Sequence, residues 1–139
     1  MSNRSFSNPA GHWDFPIPGV IVSDGVRVGD LIVVSGQAAL DEKGKVQYPG
    51  DIEMQTRVTM DHIKRVLADF GATMRDVIKV NAWWVTTAER AERDWETSIR
   101  VRSEYFEPPG PASTGIPVLF LTHPGMVTEI EVLAVASRG

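Results

Sequence analysis

The feature that most constrains this chain is its last predicted strand, the segment TEIEVLAVA at residues 128–136. With the two-residue period of a β-strand, one face carries Ile130, Val132 and Ala134, and the other carries Glu129, Glu131, Leu133 and Val135. Both faces are therefore largely apolar, and two carboxylates sit among the apolar residues of one of them. A carboxylate at the edge of a desolvated surface is a candidate for acid/base chemistry.

Length and composition predict one globular domain. A chain of 139 residues can bury a sizeable core but is too short for two ordinary domains. We expect residues 1–19, which are rich in proline and serine, to form an irregular arm, and residues 20–139 to form the domain. The absence of cysteine excludes disulfides, thiol nucleophiles and cysteine-based zinc sites.

Charge and hydropathy limit the partners. A formal net charge of -4 and the lack of a basic run argue against a general nucleic-acid binder. The N-terminus has no apolar signal region, and no 18-residue apolar run exists that would span a membrane. The expectation is a soluble cytoplasmic protein with no membrane partner.

Periodicity and turn residues predict five strands and two helices. The strands are expected at residues 20–28, 31–34, 77–86, 114–121 and 128–136. The first helix begins after Asp51 as N-cap and ends at Gly71. The second begins after Thr86 or Thr87 and buries Ala88, Ala91, Trp95, Ile99 and Phe106.

The order ββαβαββ predicts an α+β fold with both helices on one face of a mostly antiparallel sheet. In the strand at 77–86, we expect Ile78, Val80, Ala82 and Trp84 to share one face. The other face of the sheet would hold Trp83, Val85, Leu133 and Val135, which is too apolar to remain in water. The sequence therefore predicts a closed homo-oligomer.

Three segments have the order and spacing of motifs in a known family. They are VGDLIVVSGQ at residues 28–37, a helix and strand with Gln55-Thr56, Ile63, Leu67, Gly71, Asp76-Val77 and Lys79, and Pro111-Ala112 followed by Glu129-Ile130-Glu131. Across residues 20–136 they resemble the Rid proteins, also called the YjgF/YER057c/UK114 family. The resemblance implies a chorismate-mutase-like fold, a homotrimer, and ligand clefts between subunits.

The resemblance also implies an activity. Typical Rid proteins hydrolyse reactive enamines and imines, such as 2-aminoacrylate, to a 2-oxo acid and ammonia without cofactor or metal. Glu129 matches the family glutamate that positions the attacking water, and Ser35 matches the serine of the family's SGQ turn. The family arginine that clamps the substrate carboxylate is replaced by Ser113, whose hydroxyl cannot supply the missing charge. Val22 and Ile99 replace a family tyrosine and asparagine.

Each candidate site residue has a structural alternative. Glu129 either orients water or is a structural carboxylate, and Glu131 is expected to form a salt bridge near Lys79 and Asn81. Ser35 and Gln37 either bind ligand or stabilise a turn. Ser113 and Thr114 are candidates for binding a neutral or hydroxylated group, and Trp83 either walls a pocket or packs at an oligomer interface.

The remaining candidates are histidines and arginines. His12, His62 and His123 are scattered over an arm, a helix and a turn, so no metal site is predicted, although His123 could reach the cleft. Arg100 and Arg102 are most simply solvated helix charges, with replacement of the lost clamp as a minor alternative.

The sequence is consistent with three candidate functions. The first is a Rid-type hydrolase or deaminase acting on an enamine or imine, and the second is a non-catalytic trimer that binds a small metabolite. An endoribonuclease is a weak third, because the acidic balance and the lack of a histidine pair or basic groove count against it.

Overall fold

In the computed structural model, which describes residues 3–10, 12 and 17–137, the chain forms six strands and two α-helices. In chain order these are β1 at Arg4–Ser7, β2 at Gly25–Val28, β3 at Leu31–Gln37, α1 at Ile52–Asp69, β4 at Val77–Val85, α2 at Ala91–Ser103, β5 at Ala112–Val118 and β6 at Thr128–Val135. A short 3-10 helix at Met74–Asp76 leads into β4.

The strands form one sheet in the order β1-β2-β3-β6-β4-β5. β4 and β5 are parallel, and the other neighbouring strands are antiparallel. Both helices contact the same face of this sheet, so the predicted α+β layer with a mostly antiparallel sheet is confirmed. β6 lies at the centre because both of its faces are apolar.

The hydrophobic core lies between β3, β6 and β4 on one side and α1 on the other. Its fully buried members include Ile32, Val34, Val80, Ile130, Val132, Met60, Ile63, Val66 and Leu67. Helix α1 begins as predicted, because the Asp51 side chain accepts a hydrogen bond from the Met54 amide at 3.0 Å. It ends where Gly71 adopts a φ of 71°.

Helix α2 differs from the prediction in both its start and its buried face. It begins after Arg90 with no side-chain cap, and Trp95 is exposed. The buried residues are Asp94, Ser98, Val101 and Arg102. Polar contacts with the sheet decide this face, since the Thr86 hydroxyl donates to Asp94 at 2.6 Å instead of capping the helix.

The predicted face of β4 is wrong at its beginning. Ile78 is 50% exposed, whereas Val77 and Val80 are buried. The register against β6 shifts between Val77 and Lys79, so a bulge inserts one residue and turns Ile78 away from the core. From Val80 onward the predicted alternation holds, and Trp84 is buried.

The limits of several strands also differ from the prediction, because they depend on tertiary contacts. The arm contains a strand, β1, because its residues pair with β2, and part of the remaining arm lies outside the described residues. β2 is shorter than predicted, and β3 continues through Gln37. β5 starts and ends earlier than predicted, and Pro117 is tolerated because β5 is an edge strand. The assignment of residues 20–139 to one domain stays a prediction.

The sheet face opposite the helices is apolar and open. Its exposed members include Val28, Leu31, Val33, Ile116 and Val135. This agrees with the expectation that the second face is too apolar for a solvated surface. Neither helix among the described residues has the length and hydropathy to cross a membrane.

Candidate functional site

A cavity of about 260 Å³, called here the Glu129 cavity, lies where β3 ends and β6 begins. Its polar lining consists of His12, Asp24, Ser35, Gln37, His62, Thr122, His123 and Glu129. Four of the predicted site residues therefore meet at one place, namely Ser35, Gln37, His123 and Glu129. They come from separate parts of the chain that only the sheet brings together.

The Glu129 carboxylate lies directly against the backbone of Gly36. The register between β3 and β6 shifts between Val34 and Gln37, which leaves Gly36 in an irregular part of the strand facing Glu129. A Cβ atom built on Gly36 would overlap with Glu129 Oε1. Glycine is therefore required here for the close approach of the carboxylate, and not for an unusual φ angle.

The environment of Glu129 favours its protonated form. Burial raises the pKa of Glu129, and the neighbouring carboxylate of Glu131 raises it further. Glu131 accepts a hydrogen bond from Asn81 Nδ2 at 3.0 Å. The predicted salt bridge of Glu131 is wrong, because Lys79 instead donates to the Thr114 hydroxyl at 2.7 Å.

Ser35 and Gln37 are held by neighbours in the loop before β2. The Ser35 hydroxyl donates to the Ser23 carbonyl at 2.7 Å. Gln37 Nε2 donates to Asp24 Oδ1 at 3.3 Å and to the Ser35 carbonyl at 3.2 Å. These contacts direct the amide oxygen of Gln37 toward His12, whose Nε2 lies 2.8 Å away. Both residues therefore have a structural role as well as facing the cavity.

His12 and His62 form a pair that the sequence analysis does not predict. Their ring centroids are 4.6 Å apart with an interplanar angle of 53°. Because the Gln37 oxygen can only accept, His12 Nε2 carries the proton of that hydrogen bond. His62 Nδ1 lies 3.1 Å from the Ala38 carbonyl and donates to it, which leaves Nε2 as the basic nitrogen of the neutral ring.

His62 is a proton acceptor rather than a cation. Burial lowers the pKa of His62, and the adjacent His12 lowers it further. A neutral imidazole and a carboxylate with a raised pKa in one cavity are groups that can accept and donate protons during a reaction. The cavity lining contains no lysine or arginine among the described residues, so its local chemistry is acid/base rather than anion clamping.

Three predicted site residues lie elsewhere. Ser113 pairs in register with the buried Val80, whereas Thr114 pairs with Asn81 on the open face, so the two side chains point to opposite faces. Trp83 lies on the open face directly opposite Glu129 in the register, and it does not line the Glu129 cavity.

Ser113 belongs to a second cavity of about 310 Å³, called here the Arg102 cavity. Arg102 is only 4% exposed and its Nη1 donates to the Ser113 hydroxyl at 3.2 Å. The expectation that Arg102 is a solvated helix charge is wrong. Arg100 is solvated as expected and pairs with Glu53 at 3.4 Å.

The sequence carried a weak signal for some of these residues. Asp94, Ser98 and Arg102 recur every four residues and could have been recognised as one polar helix face. No local spacing joins His12 to His62, because they meet through tertiary packing alone. Within the described part of the chain, no group of three or more His, Cys, Asp or Glu residues is placed to hold a metal ion.

Comparisons with known proteins place this arrangement in context. The family model described as Endoribonuclease L-PSP matches residues 19–136. The chain is 34% identical over 113 residues to the RutC family protein YjgH of Escherichia coli (strain K12), covering 81% of this chain and 80% of that protein. It is 31% identical over 112 residues to a RutC family protein of Pyrococcus abyssi (strain GE5 / Orsay), covering 81% of this chain and 84% of that protein.

A solved structure is similar over nearly the whole chain. The crystal structure of Rv2704 from Mycobacterium tuberculosis, described as a member of the highly conserved YjgF/YER057c/UK114 family, has a TM-score of 0.76 at 27% identity. The match covers 96% of this chain and 99% of that one.

Proposed function

Because this chain belongs to the Rid (YjgF/YER057c/UK114) family, we propose that it is a hydrolase of reactive enamines or imines that acts in the Glu129 cavity. The observation that supports this most is the Glu129 carboxylate, held against Gly36 in a partly desolvated cavity. A half-buried carboxylate with a raised pKa is a suitable general base for a water molecule.

The proposed reaction has two steps. Water adds to the imine carbon, its oxygen forms the new C–O bond, and Glu129 accepts the proton that water loses. Glu129 then returns that proton to the nitrogen, which gives a neutral carbinolamine. In the second step Glu129 takes the proton of the hydroxyl and delivers it to the nitrogen, the C–N bond breaks, and ammonia leaves as the hydroxyl becomes a carbonyl. An enamine substrate first tautomerises to the imine, and neutral His62 is placed in the cavity as a further proton acceptor.

The lining of the Glu129 cavity limits the substrate. Ser113 stands where the family has its clamping arginine, and the lining of the Glu129 cavity contains no lysine or arginine among the described residues. A substrate carboxylate would therefore gain no charge-assisted hydrogen bond within this cavity. We propose a substrate that lacks a carboxylate near the imine, or one whose carboxylate is held by another part of the assembly.

The test is an imine hydrolysis assay in which an amino-acid or amine oxidase generates the imine and ammonia release is measured. We expect the wild-type protein to accelerate hydrolysis and Glu129→Gln to lose roughly 100-fold or more of that rate, as removal of a general base does. Glu131→Gln is the matched control, because it lies on the same strand face but is bonded to Asn81. Absence of acceleration by the wild type across oxidase-generated imines would exclude the hydrolase.

We further propose that the protein is a homotrimer whose open sheet face is covered by neighbouring subunits. The support is the exposed apolar surface around Val33 and Val135, which is unusual for a solvated monomer. Light scattering should give three times the chain mass, and Val33→Glu should dissociate the assembly. Trp95→Glu changes an equally exposed residue on a helix and should not. A stable wild-type monomer at micromolar concentration would contradict this assembly.

Two other functions remain as alternatives. A non-catalytic metabolite-binding trimer is favoured by the extensive hydrogen bonding already made by Ser35 and Gln37. In that case ligands would bind while Glu129→Gln changes no rate.

One observation favours the endoribonuclease, namely the pair formed by His12 and His62. It corrects the expectation that the protein has no histidine pair. The carboxylates of Asp24 and Glu129 in the same cavity oppose binding of a phosphate backbone.

A further inference from the structure

The two imidazoles that line the Glu129 cavity each have one acceptor nitrogen. His12 Nε2 carries the proton of its hydrogen bond to the Gln37 amide oxygen, so Nδ1 holds the lone pair of the neutral ring. His12 is 7% exposed, and no donor among the described residues reaches its Nδ1. His62 donates from Nδ1 to the Ala38 carbonyl, so its Nε2 is an acceptor as well. A buried acceptor without a donor is costly, and a ligand that brings an N–H group would remove that cost.

Asp24 adds a carboxylate that has no cationic partner. Its Oδ1 accepts a hydrogen bond from Gln37 Nε2 at 3.3 Å, and it forms no ion pair within the described part of the chain. The Gln37 amide thus holds Asp24 at its nitrogen and His12 at its oxygen. Burial lowers the pKa of His62 most, and the charge of Asp24 opposes that shift, so the carboxylate lies within electrostatic range of the imidazoles.

With neutral imidazoles, the charges on the described lining are all negative. Asp24 and Glu129 supply two carboxylates, and the described lining has no lysine or arginine. Arg65, three residues after His62 on α1, donates to the Ala10 carbonyl and is not one of the lining residues. Two carboxylates and two acceptor nitrogens around one space favour a ligand that combines a positive charge with N–H donors. A cation in the cavity would also favour the ionised form of Glu129, which is the form that accepts a proton.

We propose that the Glu129 cavity binds a primary ammonium group, and that the imine hydrolysed there carries such a group. The ammonium donates hydrogen bonds to an imidazole nitrogen of the His12 and His62 pair and places its charge beside Asp24. A cavity of about 260 Å³ limits the ligand to a short alkyl chain. An imine of this class forms when one end of a diamine is oxidised. The substrate preference rests on the proposed function, whereas ammonium binding is an equilibrium property of the resting protein.

Binding is tested by calorimetric titration of the full-length protein with butylammonium near neutral pH. Butanol is the uncharged isostere, and tetramethylammonium has the charge without N–H donors. We expect saturable binding of butylammonium, and roughly tenfold or more weaker binding of the other two probes. Asp24→Asn removes the charge but keeps the oxygen that accepts from Gln37, and it should weaken butylammonium binding by roughly tenfold or more. His12→Phe keeps a ring but removes the acceptor, and it should also weaken binding.

The matched control is Glu42→Gln, which removes one negative charge from an exposed position outside the cavity lining. It should bind butylammonium as the wild type does. Equal binding by wild type and Asp24→Asn would overturn the proposal, as would equal affinity for butylammonium and either of the other probes. Absence of ammonium binding would also overturn it and would mean that water satisfies the His12 acceptor. Circular dichroism verifies that each variant is folded, and the three probes on the wild type decide if His12→Phe is not.

The substrate preference is tested with the imines that an amine oxidase forms from 1,3-diaminopropane and from butylamine, in which a methyl group replaces the ammonium. The ratio kcat/KM should be roughly tenfold higher for the amino-imine, and Asp24→Asn should abolish that preference. Hydrolysis of both imines with equal kcat/KM would refute the ammonium preference and leave the hydrolase standing. Ammonium binding without hydrolysis of either imine would refute the hydrolase and leave the ammonium site standing.

Discussion

The two cavities differ in the group that each leaves without a charged partner of opposite sign, which is the half-buried Glu129 in one and the buried Arg102 in the other. Glu129 can reduce the cost of burial by binding a proton, and its pKa is raised accordingly. Arg102 remains charged at any pH the protein experiences and can be compensated only by an anion. The first cavity is therefore suited to proton transfer, whereas the second keeps a fixed positive charge.

A second buried arginine, Arg27, sharpens this comparison. It is as buried as Arg102, at 4% exposure. Its guanidinium donates to the carbonyls of Gly29, Phe70 and Ala136 at 2.8, 2.9 and 2.5 Å. Phe70 is the C-cap of α1, where the helix dipole is negative. Arg27 is thus a structural cross-link between β2, the end of α1 and the end of β6, whereas Arg102 has unused donors.

The largest expected effect is a difference in stability between two matched variants. Arg27→Met leaves one buried and two partly buried carbonyls without this donor and should lower the free energy of unfolding by roughly 3 kcal/mol or more. Arg102→Met removes an uncompensated cation and should change it by less than about 1 kcal/mol, or raise it. Urea denaturation of both variants measures the difference. An equal loss in both would mean that Arg102 is structural as well.

An intermediate effect is expected for Gly36→Ala in the Glu129 cavity. The added methyl group must displace the Glu129 carboxylate, which is the mobile end of a side chain. We expect about a tenfold loss of hydrolytic rate, since misplacing a general base reduces its contribution. The thermal midpoint should change little. Gly115→Ala is the contrasting control, because its methyl group would meet the ring of buried Trp84 and should destabilise the fold instead. Unchanged activity in Gly36→Ala would show that the position of Glu129 is not critical.

The smallest effect is a pH dependence of stability carried by Glu129. Its folded pKa lies above the unfolded value of 4.5, with burial as the first cause and Glu131 as the second. The stability that protonated Glu129 contributes is therefore fully present below pH 4.5 and is lost as the pH rises through the folded pKa. Glu129→Gln cannot ionise, so its stability relative to wild type should increase over that interval and then stay constant.

Denaturation curves of wild type and Glu129→Gln at a series of pH values measure this change. The opposite sign would mean that a positive charge or hydrogen-bond donors stabilise the carboxylate. The hydrolytic rate provides a second readout, because only ionised Glu129 accepts a proton. That rate should fall as the pH drops through the folded pKa.

Much of the fold followed from local patterns. The alternation of 128–136 predicted a strand with two apolar faces, and Asp51 and Gly71 predicted the limits of α1. These features are local, since side-chain direction in a strand and capping in a helix depend on residues a few positions apart. The bulge at Ile78 and the strand β1 could not be predicted, because both depend on pairing with a distant strand.

For the functional site, the sequence by itself determined that Glu129 and Ser35 were candidates, through a family pattern, and that the family arginine was absent at Ser113. Only the tertiary structure decided that His12 and His62 lie together and that Arg102 is buried without an ion pair. The physical reason is that spacing reports which face a residue occupies and not what covers that face. A buried arginine on a helix has the same local sequence as a solvated one, and its charge acquires meaning only from the groups that surround it.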